Sequence, residues 1–130
     1  MIRYLDTSVV MKTLVTESDS SAVVASLDRG HDGASDVSSS LLVTELHRAG
    51  RRSGIAPDEV DRALGLLELV RVSDALLRGA AELPGPSLRS LDAVHIATAL
   101  EIEADVFLTA DVRQADAARD VGLVVVDRFG

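Results

Sequence analysis

The sequence predicts an α/β protein in which a central, mainly parallel sheet lies between two layers of helices. Short apolar runs rich in β-branched residues alternate with segments of helical periodicity along the whole chain. This alternation is typical of a three-layer α/β/α sandwich, because helical crossovers cover both faces of a parallel sheet. The 130 residues contain no repeat, low-complexity tract or linker-like segment, so we expect residues 1–130 to form one domain.

The elements of the first half follow from apolar patterning and from capping residues. The short apolar run that ends at Asp6 is typical of a strand, and Asp6 or Thr7 is a suitable cap for the helix that follows. Val23, Val24 and Leu27 share one side of the next helical segment. The predicted elements are the strand Ile2–Asp6, the helices Thr7–Leu14 and Ser18–Arg29, the turn Gly30–Gly33, the strand Ala34–Ser38 and the helix Ser40–Ser53.

In the second half, proline and glycine mark most boundaries. Pro57 followed by Asp58 and Glu59 is a typical helix start, since proline suits the first turn and acids there favour the helix dipole. The segment from Ser90 to Glu103 is apolar almost all round, so we expect it to be buried. The predicted elements are the helices 57–67, 74–83, 90–103 and 112–121, the strands 69–73, 106–109 and 123–126, and a flexible loop over Pro84–Ser87.

Composition excludes several classes of protein. The chain has no cysteine, which excludes disulfides, thiolate metal sites and a cysteine nucleophile. A net charge of −8 argues against a general nucleic-acid binder. Arg48, Arg51 and Arg52 cluster on one helix as either a local phosphate-binding patch or an ordinary solvated face. Without a run of about 20 apolar residues or a signal peptide, we expect no membrane association and a cytoplasmic location.

Two acids follow strands directly. Asp6 ends the first strand and Asp111 follows the strand 106–109, and ligand sites in open parallel sheets lie at the carboxyl ends of strands. Each acid also precedes a helix, so each has an alternative role as a helix cap. A carboxylate is able to serve both purposes, and we expect both residues at the same edge of the sheet.

Two further acids lie on helices with apolar surroundings. At about 100° per residue, Glu45 falls inside the apolar arc of its helix, and a pair with Arg48 or Arg52 is the alternative explanation. Asp92 lies in the first turn of the buried helix, where the helix dipole alone favours an anion. Its neighbours on that face are apolar, so its carboxylate needs a partner.

Four carboxylates gathered in one pocket repel each other, and burial adds to the cost. A bound cation offsets both terms, and oxygen ligands indicate a hard divalent ion, Mg²⁺ or Mn²⁺. No Ser-His-Asp grouping is apparent. His31 falls in a turn and His47 on a polar helix face, and His95 is interpreted as a packed core residue or structural hydrogen-bond donor. Water activated by metal is therefore the expected nucleophile.

Four segments carry a family resemblance that spans Ile2 to about Val126. The segments RYLDTSVV, SSLLVTELHRA, RSLDAVHIATAL and FLTADVRQADAARDVGL resemble the motif regions of PIN-domain ribonucleases, and are most similar to the VapC-type toxins of bacterial toxin–antitoxin pairs. The resemblance implies a PIN-domain sandwich and Mg²⁺- or Mn²⁺-dependent endonucleolytic cleavage of RNA. It also implies a cognate antitoxin protein as a partner, and a homodimer.

The resemblance also assigns residues by position. It places the catalytic, metal-binding acids at Asp6, Glu45, Asp92 and Asp111. Asp116 stands where some relatives carry a further acid. Thr7 or Ser8 matches a hydroxyl that orients Asp6 or a metal-bound water.

Rival assignments explain the acids less well. A haloacid-dehalogenase phosphatase needs a second Asp two residues after the first, where this chain has Ser8. That class and the receiver domains also need a lysine late in the chain, and the only lysine is Lys12. A non-catalytic PIN-like RNA-binding or regulatory module remains the alternative, and it would be expected to have lost some of the acids.

Overall fold

A computed structural model describes residues 1–15, 20–29, 33–85 and 88–129. The strands are β1 (Ile2–Leu5), β2 (Ser35–Ser39), β3 (Glu68–Val70), β4 (Val106–Leu108) and β5 (Val125–Val126). The helices are α1 (Thr7–Leu14), α2 (Ser20–Arg29), α3 (Leu42–Arg52), α4 (Pro57–Leu64), α5 (Asp74–Ala81), α6 (Ser90–Glu101) and α7 (Val112–Asp120). No helix within these ranges is long and apolar enough to cross a membrane.

The five strands form one parallel sheet in the order β3-β2-β1-β4-β5. The chain builds outward from β1 through β2 to β3, and then returns to the other side of β1 for β4 and β5. The strand order therefore reverses between β1 and β4, where Leu5 pairs with Leu108. Ligands of open α/β sheets bind at such a switch point, outside the carboxyl ends of the strands.

Alternate strand residues face opposite layers of the sandwich. Leu5 and Leu108 pack in a buried cluster with α1, α2, α3 and α4. Tyr4 and Phe107, one position earlier in each strand, pack in a second cluster with α6 and α7. This two-residue period is the side-chain alternation of a pleated strand. The structure thus confirms the predicted α/β sandwich, with a sheet that is entirely parallel among the described strands.

Each predicted strand and helix has a counterpart among the described elements, and most are shorter than predicted, although β2 ends one residue later and β3 begins one residue earlier. The helix predicted to begin at Ser40 starts at Leu42, because residues 40–43 form a tighter turn in which the Val43 amide donates to the Ser40 carbonyl at 3.2 Å. The buried helix ends at Glu101, and Glu103 adopts a left-handed φ of 54° just beyond it. The predicted helix start at Ser18, the turn residues 30–32 with His31, and loop residues 86–87 lie outside the described residues.

Two helical glycines provide a matched test of packing between α3 and α4. A Cβ atom at Gly50 would lie 2.9 Å from Cγ2 of buried Val60, whereas a Cβ at Gly79 in α5 would meet nothing within 4 Å. We expect Gly50→Ala to lower the free energy of unfolding by about 1–3 kcal/mol through overpacking. We expect Gly79→Ala to raise it by about 0.5–1 kcal/mol. Urea unfolding of both variants checks this, and equal shifts would contradict the packing seen here.

Candidate metal and catalytic site

Asp6 lies at the switch point, directly after β1. It is 4% exposed and caps α1, accepting a hydrogen bond from the Val9 amide at 3.3 Å. The Ser8 hydroxyl donates to its Oδ1 and the Thr109 hydroxyl to its Oδ2, both at 2.5 Å. Burial raises the pKa of Asp6, and the two hydroxyls oppose that rise. The cap and the sheet-edge position predicted for this residue are therefore both present.

Thr109 occupies the equivalent position after β4. Its hydroxyl donates to Asp6, which follows the neighbouring strand β1, and accepts a hydrogen bond from the Asp111 amide at 3.1 Å. Ser8 makes a parallel connection, since its hydroxyl accepts from the Ala110 amide at 2.8 Å. These two hydroxyls join the turn after β4 to the carboxylate of Asp6. Of the two hydroxyls considered for orienting Asp6 or a metal-bound water, Thr7 and Ser8, the structure places Ser8 on Asp6. Thr109 is a partner that the sequence analysis missed.

Glu45 projects from the first turn of α3 toward α6. Its Oε1 lies 2.6 Å from Nε2 of His95, and its side chain is 17% exposed. His95 is buried, and Thr7 Oγ1 lies 3.2 Å from the same nitrogen. The described contacts thus give Glu45 a histidine partner rather than Arg48 or Arg52. The prediction that Glu45 belongs to the inner side of its helix is confirmed.

Asp92 and Asp111 line one cleft of about 340 Å³ beyond the sheet edge. Asp92 lies half-buried in the first turn of α6, one turn before His95. Asp111 is exposed and caps α7, its Oδ1 accepting from the amides of Arg113 at 2.9 Å and Gln114 at 3.4 Å. Burial raises the pKa of Asp92, and the neighbouring charge of Asp111 raises it further. The negative charge of Asp111 therefore disfavours the ionised form of Asp92 within the same cleft.

Asp92→Asn is expected to raise the thermal midpoint of the metal-free protein by about 3 °C at pH 7. Because the folded-state pKa of Asp92 is raised, its ionisation opposes folding above that pKa. Well below the ordinary carboxyl pKa, both states bind the proton and the advantage of Asn disappears. Calorimetry with a chelator from pH 3 to 8 measures this difference. Asp74→Asn, in an exposed first turn of α5, is the control and should bring no gain.

Gln114 on α7 forms hydrogen bonds with both Asp92 and Asp111. Its side-chain amide donates to the Asp92 carbonyl at 3.1 Å, and its backbone amide faces Asp111. The side chain is 1% exposed, and its Oε1 has no hydrogen-bond partner among the residues that the structure describes. No sequence pattern singles this residue out, since a glutamine on a helix is ordinarily solvated.

The remaining predicted residues lie farther from these contacts. Asp116 lines the same cleft but its side chain is 71% exposed, with Arg119 Nη1 4.0 Å away. The three arginines predicted as a phosphate patch are exposed and line a shallow depression on α3: Arg48, Arg51 and Arg52. Whether this patch binds phosphate stays a prediction.

The donor set suits a hard divalent cation, although it is not arranged as a ligand sphere. Among the described residues, no three Asp, Glu or His side chains are positioned to hold a metal ion together. Asp6 accepts from two hydroxyls and Glu45 contacts His95, so an ion would bind through the carboxylate lone pairs that these contacts leave open. Carboxylate oxygens are the ligands that Mg²⁺ and Mn²⁺ prefer. Burial also penalises the charges of Asp6 and Asp92, and a cation would remove that penalty.

Comparison with known proteins places the chain among relatives of similar length. It is 37% identical over 126 residues to ribonuclease VapC46 of Mycobacterium tuberculosis, covering 95% of both chains. It is 35% identical to ribonuclease VapC47 of the same species, covering 93% of each. Both alignments extend over almost the whole chain.

Solved structures share the fold. VapBC2 from Rickettsia felis, solved with a DNA fragment from its promoter, matches with a TM-score of 0.69 at 17% identity, over 97% of this chain and 98% of that one. FitAcB from Neisseria gonorrhoeae matches with a TM-score of 0.66 at 21% identity, over 96% of each chain. Residues 3–120 match the PIN domain family itself. The chain is therefore a member of the PIN domain family.

Proposed function

We propose that this protein is a metal-dependent endoribonuclease, the toxin of a type II toxin–antitoxin pair. One observation carries the proposal: a buried carboxylate, Asp6, lies at the switch point of the sheet and is joined through the Thr109 hydroxyl to the backbone amide of Asp111, which lines a cleft together with Asp92. The curated relatives at 35–37% identity are named ribonucleases. Neither helix capping nor ion pairing requires a carboxylate as deeply buried as Asp6.

Under this proposal Asp6, Glu45, Asp92 and Asp111 hold Mg²⁺ or Mn²⁺, and exposed Asp116 contributes from the outer part of the cleft. When bound, such an ion lowers the pKa of a water and stabilises charge on the phosphodiester oxygens. Ser8 and Thr109 fix both oxygens of Asp6, so that its orientation is set before a ligand arrives. Asp111 is held at the cleft by its capping bonds to the α7 amides. Holding Asp6 and Asp111 in place in this way would lower the reorganisation cost of the reaction.

Cleavage is expected to depend completely on a divalent cation. Purified protein incubated with structured RNA should produce discrete fragments in Mg²⁺ or Mn²⁺, none with excess EDTA, and fragments again when Mn²⁺ is restored. The measurement is gel analysis of end-labelled RNA. Unchanged cutting in EDTA would contradict the proposed metal site. RNA binding without any cutting under all metal conditions would favour the non-catalytic module instead.

The family resemblance also leads us to propose a cognate antitoxin and a homodimer, and the cytoplasmic location expected from the composition stays a proposal. The net charge of −8 favours a basic partner, because opposite charges steer association. The acidic cleft is the natural position for a basic antitoxin segment. Co-purification with the product of a neighbouring reading frame, with loss of RNA cleavage in the complex, is the expected result.

A further inference from the structure

A buried chain of hydrogen bonds runs from β1 through α6 to α3. Tyr4 Oη lies 2.6 Å from His95 Nδ1, and His95 Nε2 lies 2.6 Å from Glu45 Oε1. Tyr4 is 0% and His95 1% exposed, and their rings meet edge to face with centroids 5.8 Å apart. Both nitrogens of the imidazole are therefore engaged inside the core, and one of them is engaged with a proposed site carboxylate.

We propose that His95 is a positioning residue that holds the Glu45 carboxylate for metal binding, through an Nε2–H donor selected by Tyr4. The inference rests on the proposed function, because Glu45 matters only if the acids bind a cation. A carboxylate is an acceptor only, so Nε2 must carry the proton that lies between His95 and Glu45. A neutral imidazole then has an acceptor at Nδ1, which the Tyr4 hydroxyl satisfies as donor.

The need for such a donor follows from the charges around Glu45. The negative charges of both Asp111 and Glu45 act on Asp92. The Glu45 carboxylate is therefore repelled by the carboxylate of Asp92. A rigid donor in the core fixes its position despite that repulsion. Thr7 is a weaker alternative partner of His95, since its hydroxyl lies 3.2 Å from Nε2 compared with 2.6 Å for Glu45. Partners that orient metal-ligating groups typically change metal affinity 10- to 100-fold when lost.

Two substitutions distinguish the roles of the two imidazole nitrogens of His95. His95→Gln places an amide near the position of Nε2 and retains a donor for Glu45, whereas His95→Asn places it near Nδ1 and leaves Glu45 without one. We expect Mn²⁺ affinity, measured by titration calorimetry on the full chain, to fall at least about 10-fold in His95→Asn and to be largely retained in His95→Gln. In RNA cleavage, kcat should fall with KM unchanged, because buried His95 does not contact substrate.

The chain offers a matched control for this experiment. His47 on α3 lies with its Nε2 2.8 Å from Asp61 Oδ1, the same type of pair, but exposed and without a described contact to the four acids. His47→Asn should leave Mn²⁺ affinity unchanged. An equal loss of Mn²⁺ affinity in both His95 variants would overturn the proposal, because it would show that the donor near Nε2 has no special role. No loss of Mn²⁺ affinity in either variant would also overturn it.

The wild-type protein allows a test that needs no variant to fold. A long-range ¹H–¹⁵N spectrum of labelled protein should show the His95 resonance with Nε2 protonated and Nδ1 unprotonated, and His95 with Nε2 unprotonated would overturn the proposal. Tyr4→Phe, which removes only the hydroxyl, should weaken this tautomer preference and lower Mn²⁺ affinity. If the wild type binds no Mn²⁺ at all, the proposed function fails even when the tautomer is as expected.

Discussion

Replacing Asp6 with Asn is expected to lower the rate of RNA cleavage by at least about 100- to 1,000-fold. The substitution removes the charge at the centre of the proposed site while keeping the shape of the side chain. Ser8 and Thr109 each donate a hydroxyl hydrogen to one oxygen of Asp6. In the Asn variant the NH₂ group replaces one of these oxygens, so a hydroxyl that donated to Asp6 meets another hydrogen-bond donor. That conflict opposes the gain from removing a buried charge, and we expect the free energy of unfolding to change by less than about 2 kcal/mol.

The control for this substitution is Asp58→Asn, an exposed acid in the first turn of α4. It changes the net charge equally but lies on a different element from all four acids. Cleavage at the normal rate by Asp6→Asn would exclude Asp6 from the chemistry. An equal fall in the cleavage rate of both variants would show that the effect arises from net charge.

Thr109→Val is expected to produce the second largest functional loss. It removes the donor to Asp6 Oδ2 and the acceptor of the Asp111 amide in a fully buried position. We expect Mn²⁺ affinity to fall about 10- to 100-fold and the free energy of unfolding to fall by about 1–3 kcal/mol. Titration calorimetry and urea unfolding measure these two quantities.

Thr13→Val is the matched control for Thr109→Val. The Thr13 hydroxyl donates to the Val10 carbonyl within α1, so the same chemical change is made away from the acids. Its Mn²⁺ affinity should equal that of the wild type. If Thr109→Val also binds Mn²⁺ as the wild type does, the hydroxyl does not orient Asp6 for metal binding.

Local patterns were sufficient for most of the fold. Apolar runs and capping residues predicted every described strand and helix, and helix α1 matches its predicted bounds of Thr7–Leu14. The ends of other elements depended on tertiary contacts. The Ser40 amide, for example, donates to the Val70 carbonyl and so extends the pairing of β2 with β3. Periodicity within one segment carries no information on such a partner 30 residues away.

The positions of the four proposed site acids in the fold were predictable from the sequence, but their hydrogen-bond partners were not. Sheet topology explains why Asp6 and Asp111 follow neighbouring strands, and helical periodicity explains why Glu45 points inward. The identity of its partner was not accessible, because helical spacing offers only residues of the same helix, whereas His95 comes from α6. Thr109 had a usable signal: it is a hydroxyl directly after β4, as Asp6 is directly after β1.

Anomalous scattering from a crystal grown with Mn²⁺ tests the central claim most directly. The account predicts an anomalous peak within about 2.5 Å of carboxylate oxygens from Asp6, Asp92 and Asp111, with the Glu45 carboxylate turned toward the same ion. The peak should vanish in crystals of Asp6→Asn grown in the same way. A wild-type crystal in which Mn²⁺ is absent from this cleft, or lies only at exposed acids such as Asp116, would contradict the account.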